Sequence, residues 1–326
     1  MSIIKVSNLS KTYDYYKKQA GLINSLKSLF HREKLFKEAV KNINFTIDEG
    51  ELVGFLGPNG AGKTTTLKML SGIIHPTSGE AKVLGYLPHK RQREFQKQFA
   101  LVMGQKNQLW WDLPAMESFI LNKEIYEVPD QQFKSTLEEL TTLLEIKDIL
   151  DIPVRKLSLG QRMKCELVAA LLHSPKVLFL DEPTIGLDVV SQKNIREFLK
   201  KYNQEKKITI ILTSHYMDDV EALCERVIII NHGIIAYDGK LKELTDQYID
   251  HKIIEVTFTE PVAEEQLRSL ATLQEYSSER ALLRVPKDQV KKVAVDLMTK
   301  FPVDDILINE MEIEEVVRNI FSKTKA

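Results

Sequence analysis

Short apolar runs alternate with longer amphipathic runs through roughly the first 240 residues of the chain. Two runs near the N-terminus, IIKVSNL (3–9) and VKNINFTI (40–47), alternate apolar and polar residues as half-buried strands do. Five other runs are almost wholly apolar and rich in β-branched residues, which indicates strands buried on both faces: 51–57, 99–104, 177–181, 208–215 and 226–233. The pattern predicts an α/β fold in which helices surround a parallel sheet.

Apolar side chains recur at helical spacing between these strands, most clearly over 131–150 and 191–204. The composition changes near residue 245. From there the pattern predicts strand, helix, strand, helix, strand and a last helix, over 252–258, 264–271, 281–286, 289–301, 303–308 and 312–322. We therefore expect one domain over 1–240 and a small C-terminal α+β domain over 250–326, with a ferredoxin-like arrangement as the candidate.

A basic amphipathic insertion, residues 15–39, separates the two half-buried strands. Its apolar residues fall on one helical face and are surrounded by cations: Leu22, Ile23, Leu26, Leu29 and Phe30, with Lys17, Lys18, Lys27, Arg32, Lys34 and Lys37. This pattern favours a helix packed on its own domain. The alternative is a helix that docks on a membrane surface or a partner.

Composition narrows the classes of partner. The 326 residues carry a formal net charge of −1, so no nucleic-acid partner is expected. The two cysteines, Cys165 and Cys224, form no CxxC pair, which argues against a zinc site or a disulfide framework. The N-terminus lacks the apolar core of a signal peptide, and no apolar run approaches the roughly 18 residues that span a bilayer. We expect any membrane role to come through a partner.

The segment GPNGAGKT (57–64) has the spacing of a phosphate-binding loop and lies between a predicted strand and a predicted helix. Its glycines let several backbone N–H groups point at phosphate oxygens, and the helix that begins near Lys63 adds its positive end. Lys63 is expected to reach the β- and γ-phosphates, and the Thr64 hydroxyl to bind Mg²⁺. The expected nucleotide-binding set is Gly57, Pro58, Asn59, Gly60, Ala61, Gly62, Lys63, Thr64 and Thr65.

The segment VLFLDEP (177–183) places two acids at the carboxyl end of a buried strand, where open α/β sheets bind ligands. Asp181 is expected to hold the magnesium ion through water. Glu182 points elsewhere, and a carboxylate beside a γ-phosphate is suited to polarise the attacking water. These residues predict hydrolysis of a nucleoside triphosphate.

Four segments in this order, GPNGAGKTT, LSLGQ, VLFLDEPTIGLD and TSH, resemble the nucleotide-binding subunit of ATP-binding cassette (ABC) transporters. The resemblance covers roughly residues 1–240. It implies a P-loop cassette with a mixed sheet core, an antiparallel β subdomain and a helical subdomain over about 108–165. It also implies ATP and Mg²⁺ as cofactors, a head-to-tail dimer with a second copy that encloses the ATP, and integral-membrane permease subunits as partners.

The segment LSLGQ (157–161) resembles the signature loop of that family, usually written LSGGQ. The resemblance implies that Ser158, the Gly160 backbone and Gln161 touch the γ-phosphate bound by the other copy. The residues that follow have helical character, so the loop would present a helix N-terminus to an anion. Leu159 departs from the pattern. A left-handed conformation there would cost roughly 1 kcal/mol or more, but we expect its side chain to point away harmlessly.

The remaining roles are implied by matching positions. Tyr13 resembles the aromatic residue that stacks on adenine, and Asp188 the residue that crosses the dimer interface. Gln105 resembles the glutamine that contacts Mg²⁺ and the attacking water, with Gln108 as the alternative. His215, in TSH, would bind the γ-phosphate and orient the water.

Two adjacent tryptophans, Trp110 and Trp111, lie in a segment, 107–119, that resembles the variable coupling region of the family. A polar loop does not need two such residues. We expect one of them to pack inward and the other to contribute to a docking surface.

The resemblance implies an ATPase that powers export through separate permease subunits, in the style of ABC-2 type drug and antibiotic exporters. It would sit peripherally on the cytoplasmic face of the cell membrane. One alternative is an importer cassette with a regulatory C-terminal domain, and another is a non-transport ABC ATPase of translation or DNA repair. The second alternative is disfavoured because this chain has neither a second cassette nor long coiled-coil or zinc inserts. The guanine-reading NKxD of a GTPase is also missing.

Overall fold

The computed structural model describes residues 2–16, 34–214, 216–248, 251–310 and 313–323. The chain divides into two compact units, Met1–Gly239 and Lys240–Lys325. Each unit has its own buried apolar cluster and is described by itself.

The strands of the first unit are, in chain order, β1 (Ser2–Tyr16), β2 (Lys34–Asp48), β3 (Leu52–Leu56), β4 (Ser78–Val83), β5 (Phe99–Met103), β6 (Val177–Asp181), β7 (Thr209–Thr213), β8 (Arg226–Asn231) and β9 (Ile234–Lys240). Its described helices are α1 (Lys63–Leu70), α2 (Arg93–Gln96), α3 (Ala115–Tyr126), α4 (Asp130–Leu143), α5 (Leu159–Leu171), α6 (Val189–Lys206) and α7 (Met217–Leu223). Short 3₁₀ turns lie at Pro88–Lys90, Lys147–Ile149 and Val154–Lys156.

A six-stranded sheet in the order β5-β6-β7-β3-β8-β9 forms the centre of this unit. Its first five strands pair in parallel. Every residue of β6 and β7 is buried, which explains why their runs VLFL and IIL are apolar without alternation. The strands β3, β6 and β7 all deliver their carboxyl ends to one edge of the sheet, and the phosphate loop and both acids follow from that edge.

A second, antiparallel sheet has the order β2-β1-β4. Its ribbon extends further than the sequence pattern predicted, because pairing continues until Tyr16 lies opposite Lys34. Residues 15–16 and 34–39, at the two ends of the predicted basic insertion 15–39, therefore lie in the paired strands β1 and β2. Residues 17–33, which carry the predicted amphipathic face, lie outside the described residues.

The helices α3, α4 and α5 lie between β5 and β6 along the chain. On α5, eight of the thirteen residues are buried, so this helix is embedded on most of its surface. Both cysteines are buried, Cys165 on α5 and Cys224 directly after α7. Burial raises the pKa of the Cys165 thiol to about 12 and also raises the pKa of Cys224. Among the described helices, none is both long and apolar enough to cross a bilayer.

The second unit contains α8 (Leu241–Tyr248), β10 (His251–Phe258), α9 (Glu264–Arg268), β11 (Thr272–Ser277), β12 (Arg280–Pro286), α10 (Val290–Lys300), β13 (Val303–Glu310) and α11 (Ile313–Lys323). Its antiparallel sheet has the order β11-β12-β10-β13. From β10 to β13 the βαββαβ order and this strand order are those of a ferredoxin-like fold, which confirms the predicted arrangement. The pattern did not predict α8 or β11.

Candidate functional site

The phosphate loop connects β3 to α1, and two of its glycines are required by close backbone contacts. A Cβ on Gly57 would lie 2.2 Å from the carbonyl oxygen of Ile230. Gly62 has a φ of +115°, and a Cβ there would lie 2.5 Å from the carbonyl oxygen of Ala39. The loop is therefore held against β8 and β2, and the helix begins at Lys63 as predicted.

Lys63 lies inside the curve of this loop. Its ammonium donates hydrogen bonds to the carbonyl oxygens of Gly57, at 2.6 Å, and Pro58, at 3.2 Å. Only 5% of the residue is exposed. Burial lowers the pKa of Lys63, and the carboxylates of Glu182 and Asp181 oppose that shift. The Lys63 ammonium therefore lies at the edge of the sheet where the two acids lie.

Asp181 forms a compact oxygen cluster with two threonines. The Thr64 hydroxyl donates to its carboxylate at 2.9 and 3.1 Å, and the Thr213 hydroxyl donates to it at 2.8 Å. A carboxylate beside a hydroxyl at a phosphate loop is the donor set that Mg²⁺ shares with nucleotide phosphates. The residues present therefore fit that ion. Thr213 was not predicted, and its only sequence signal is its place at the end of a buried strand.

Glu182 follows in a sharp turn, with a left-handed φ of +56°. The side-chain amide of Gln105 donates to the Glu182 carboxylate at 3.0 Å. A Cβ on Gly104 would lie 2.0 Å from the Glu182 carbonyl oxygen, so glycine is needed where β5 leads into Gln105. The alternative, Gln108, instead donates its side-chain amide to the Leu101 carbonyl oxygen at 2.8 Å. The structure thus brings Gln105, and not Gln108, to the acid.

The signature segment forms the start of α5. Ser158 is the N-cap, and a capping box joins it to Gln161: the Ser158 hydroxyl accepts from the Gln161 N–H at 3.1 Å, and the Gln161 side chain accepts from the Ser158 N–H at 2.9 Å. Leu159 is the first residue of the helix, so the costly left-handed conformation does not occur there. Its side chain lies against Gly186. The departure from LSGGQ therefore leaves the helix start intact.

Gly160 has no room for a side chain. A Cβ there would lie 2.4 Å from the Ser191 hydroxyl oxygen. Ser191 in turn donates to Asp188, the N-cap of α6, through its N–H at 2.9 Å and its hydroxyl at 2.6 Å. These hydrogen bonds lower the pKa of Asp188. The starts of α5 and α6 are consequently packed together.

Tyr13 and Thr65 are two further described residues of the predicted nucleotide site. Tyr13 is on β1, 38% exposed, with the Lys11 ammonium 5.2 Å from its ring centre. The side chain of Thr65, in the first turn of α1, is half-buried. His215 lies outside the described residues, between Ser214 and Tyr216.

The expectation that one tryptophan packs inward is wrong. Trp110 is 57% exposed and Trp111 is 49% exposed. The guanidinium of Arg162, on α5, lies over the Trp111 ring at 5.8 Å, and this contact takes the place of burial. Trp110 lines a small cavity of about 110 Å³ together with Leu121 and Tyr126. Both rings are available at the surface.

Glu166 was missed by the sequence analysis. It is 3% exposed, one turn beyond Arg162 on α5, and its Oε1 accepts from the N–H groups of Gln108, at 2.7 Å, and Leu109, at 3.4 Å. Burial raises the pKa of this carboxyl group. Arg162 and Glu166 therefore attach the loop that follows Gln105 to the helix that begins at the signature segment.

Asp219 was also missed. It is fully buried on α7, and its carboxylate accepts from the hydroxyls of Thr184 and Ser214 and from the Arg196 guanidinium. Thr184 lies two residues after Glu182. No signal in the segment YMDDVEAL distinguishes this acid from its exposed neighbour Asp218.

Comparison with known proteins adds the decisive observation. The family profile described as ABC transporter matches residues 40–185, and the profile described as EvrA-like ABC transporter, C-terminal domain, matches residues 250–309. The ABC transporter ATP-binding protein NatA of Bacillus subtilis is 35% identical over 215 residues, which cover 66% of this chain and 87% of NatA. The chain belongs to the ABC transporter family.

Two further likenesses extend this result. The linearmycin resistance ATP-binding protein LnrL of B. subtilis is 30% identical over 283 residues, which cover 86% of this chain and 90% of LnrL. The ATP-binding cassette MJ0796, in a dimeric post-hydrolysis structure bound to ADP and Pi, is 25% identical with a TM-score of 0.59; the match covers 73% of this chain and 98% of MJ0796. This ABC subunit is accordingly an ATP-binding and ATP-hydrolysing cassette.

Proposed function

We propose that this ABC ATPase powers export through separate membrane permease subunits, and that Glu182 is its catalytic base. The observation that carries the catalytic assignment is the convergence of Lys63, Thr64, Gln105, Asp181 and Glu182 at one edge of the central sheet. Lys63 would neutralise phosphate charge, Glu182 would accept the proton of the attacking water, and Gln105 would keep the Glu182 carboxylate in place. His215 would bind the γ-phosphate and orient the attacking water.

The magnesium ion belongs to the same proposal. Thr64 and Asp181 would hold it, with Gln105 nearby, and the ion would neutralise charge on the β- and γ-phosphates. The hydrogen bond from Thr213 keeps the Asp181 carboxylate oriented towards Thr64. Thr213 therefore supports the ion site without being expected to touch the nucleotide.

A second copy of this chain would complete each ATP site. The capping box leaves the Ser158 hydroxyl hydrogen available to a phosphate oxygen, because that hydroxyl accepts from the Gln161 N–H instead of donating to it. Ser158 is exposed, as are Val189 and Val190 directly after Asp188, so this surface is open to another chain. The dimeric structure of MJ0796 supports the same arrangement.

Mixing two variants, each inactive at an ATP concentration that saturates only the wild-type site, tests whether the ATP sites are shared. A Lys63→Ala chain lacks its phosphate-loop cation, and a Ser158→Arg chain presents a bulky cation at the signature segment. In a head-to-tail heterodimer one site carries both defects and the other carries neither. Random mixing should therefore restore about a quarter of the wild-type sites, measured as phosphate release. A mixture no more active than the sum of its parts would show that the copies do not share sites.

Export is proposed from the likeness to LnrL, whose name records resistance to linearmycin. The chain would then act at the cytoplasmic face of the membrane, held there by its permease. The exposed pair Trp110 and Trp111 offers apolar surface next to a loop that is tied to both Glu182 and α5. A permease that binds at this pair would therefore contact a loop that is connected to Glu182.

Replacing each tryptophan with alanine tests this docking surface. Trp110→Ala and Trp111→Ala should each reduce co-purification with multi-span membrane proteins from detergent extracts, because aromatic anchors dominate such interfaces. The matched control is Met298→Ala, which removes an apolar side chain of similar exposure from the second unit. Equal recovery of membrane proteins with all three variants would reject the assignment.

A further inference from the structure

The buried carboxylate of Asp219 connects three separate segments of the first unit. Its Oδ2 accepts from the hydroxyls of Thr184 and Ser214, the latter at 2.7 Å, and its Oδ1 accepts from Arg196 Nη1 at 2.9 Å. Thr184 belongs to the turn after β6, Ser214 follows β7, and Arg196 is on α6. Asp219 itself, on α7, is fully buried. Four elements therefore meet at one side chain.

Two of those segments carry the chemistry of the site. Thr184 lies two residues after Glu182, and only Pro183 stands between them. Ser214 immediately precedes residue 215, and its hydroxyl also accepts from the Tyr216 N–H at 3.0 Å. The turn that holds Glu182 is in a left-handed conformation, which a non-glycine residue adopts only when its surroundings enforce it. Asp219 supplies such a constraint, because it accepts a hydrogen bond from Thr184 at the end of this turn.

We propose that Asp219 is a positioning residue for ATP hydrolysis: it fixes the turn 182–184 relative to the segment that ends at Ser214, so that Glu182 stays directed at the phosphate site. The inference rests on the proposed role of Glu182. Because it is fully buried, Asp219 is not placed to bind the nucleotide itself. It acts through the hydroxyls of Thr184 and Ser214.

Arg196 explains how a carboxylate can serve this purpose in a buried place. An isolated buried carboxylate is strongly unfavourable, and a paired guanidinium with further hydrogen bonds offsets that cost. The Arg196 side chain is only 14% exposed, so the pair is little screened by solvent. Arg196 also lies about two turns into the helix that Asp188 caps, so the Asp219 carboxylate connects the turn after Glu182 to the body of α6.

Asp218 provides the chain's own control, because it is the adjacent acid on α7 and is exposed. We therefore compare Asp219→Asn with Asp218→Asn in the full-length protein, and measure kcat, KM and the equilibrium binding of ATP. Asp219→Asn should lower kcat by about tenfold or more and leave the affinity for ATP within about twofold. Asp218→Asn should change neither. A role confined to folding would reduce the number of ATP-binding sites and not the kcat of each site.

Two hydroxyl deletions keep the test independent of folding. The double variant Thr184→Val with Ser214→Ala leaves the ion pair of Arg196 and Asp219 in place but removes the links to both segments. It should reproduce the loss of kcat seen in Asp219→Asn. Normal kcat in that double variant, or in a folded Asp219→Asn protein, would overturn the proposal.

The residual turnover of Glu182→Gln separates this inference from the proposed function. If Asp219 acts by positioning Glu182, adding Asp219→Asn to Glu182→Gln should lower the remaining turnover by less than about twofold, because interacting residues are not additive. A further tenfold loss in that background would contradict positioning through Glu182. Near-normal turnover of Glu182→Gln alone would instead reject the catalytic role of Glu182.

Discussion

Glu182→Gln is expected to lower the turnover of ATP by about 10²–10⁴-fold, the usual contribution of a general base. Glutamine has the same shape as glutamate but cannot accept the proton of the attacking water. Its amide oxygen can still accept the hydrogen bond that Gln105 donates to the Glu182 carboxylate, so the turn should keep its geometry. Binding of ATP should persist, because the phosphate loop is unchanged.

Single-turnover phosphate release and equilibrium binding of ATP measure the two effects separately. Dimers should accumulate in the presence of ATP, since the variant binds the nucleotide but hydrolyses it slowly. Glu225→Gln is the matched control, because Glu225 is an exposed glutamate outside the site. Near-normal turnover in Glu182→Gln would reject the assignment of the base.

Lys63→Ala is expected to weaken the binding of ATP by about 10–100-fold. Hydrogen bonds to charged groups contribute about 1.5–3 kcal/mol, and each 1.4 kcal/mol changes an equilibrium constant about tenfold. The ammonium is already positioned, because it lies 2.6 Å from the Gly57 carbonyl oxygen inside the loop. The ammonium therefore needs little further ordering when phosphate binds. Loss of the ammonium should mainly weaken the affinity for ATP.

Titration calorimetry with ATP measures this loss directly. Lys68→Ala is the control on the same helix, because Lys68 lies in the last turn of α1, away from the loop. Both variants should unfold at similar temperatures if the loop keeps its shape. Unchanged affinity in Lys63→Ala would mean that the phosphates bind elsewhere.

The elements that carry the site were the easiest to predict. The strands β6 and β7 are buried and contain uninterrupted apolar runs, and the glycines of the phosphate loop are followed directly by the helix. The strand β11 was missed because it lies at the edge of its sheet and nearly all of its residues are exposed, so it lacks the apolar pattern of a buried strand. The extension of the β1 and β2 ribbon was missed because cross-strand pairing leaves no mark in either strand alone.

Within the site, motifs identified the residues expected to meet phosphate but not those that support them. Thr213, Glu166 and Asp219 form their contacts across 32, 58 and 35 residues of chain, to Asp181, Gln108 and Thr184. Such long-range contacts arise from tertiary packing, and an exposed acid such as Asp218 looks the same in the sequence. Trp111 was misjudged for a related reason, because the Arg162 guanidinium on α5 contacts its ring in place of burial.

The burial of both thiols has a practical consequence for spectroscopy. A thiol reacts as its thiolate, and burial keeps Cys165 and Cys224 protonated and out of contact with reagents at neutral pH. The chain has no other cysteine. A single cysteine introduced at an exposed position, such as Val190→Cys at the start of α6, would therefore take up a fluorophore selectively. Because the native cysteines take up no label, energy transfer between fluorophores on two copies would report how closely the copies approach.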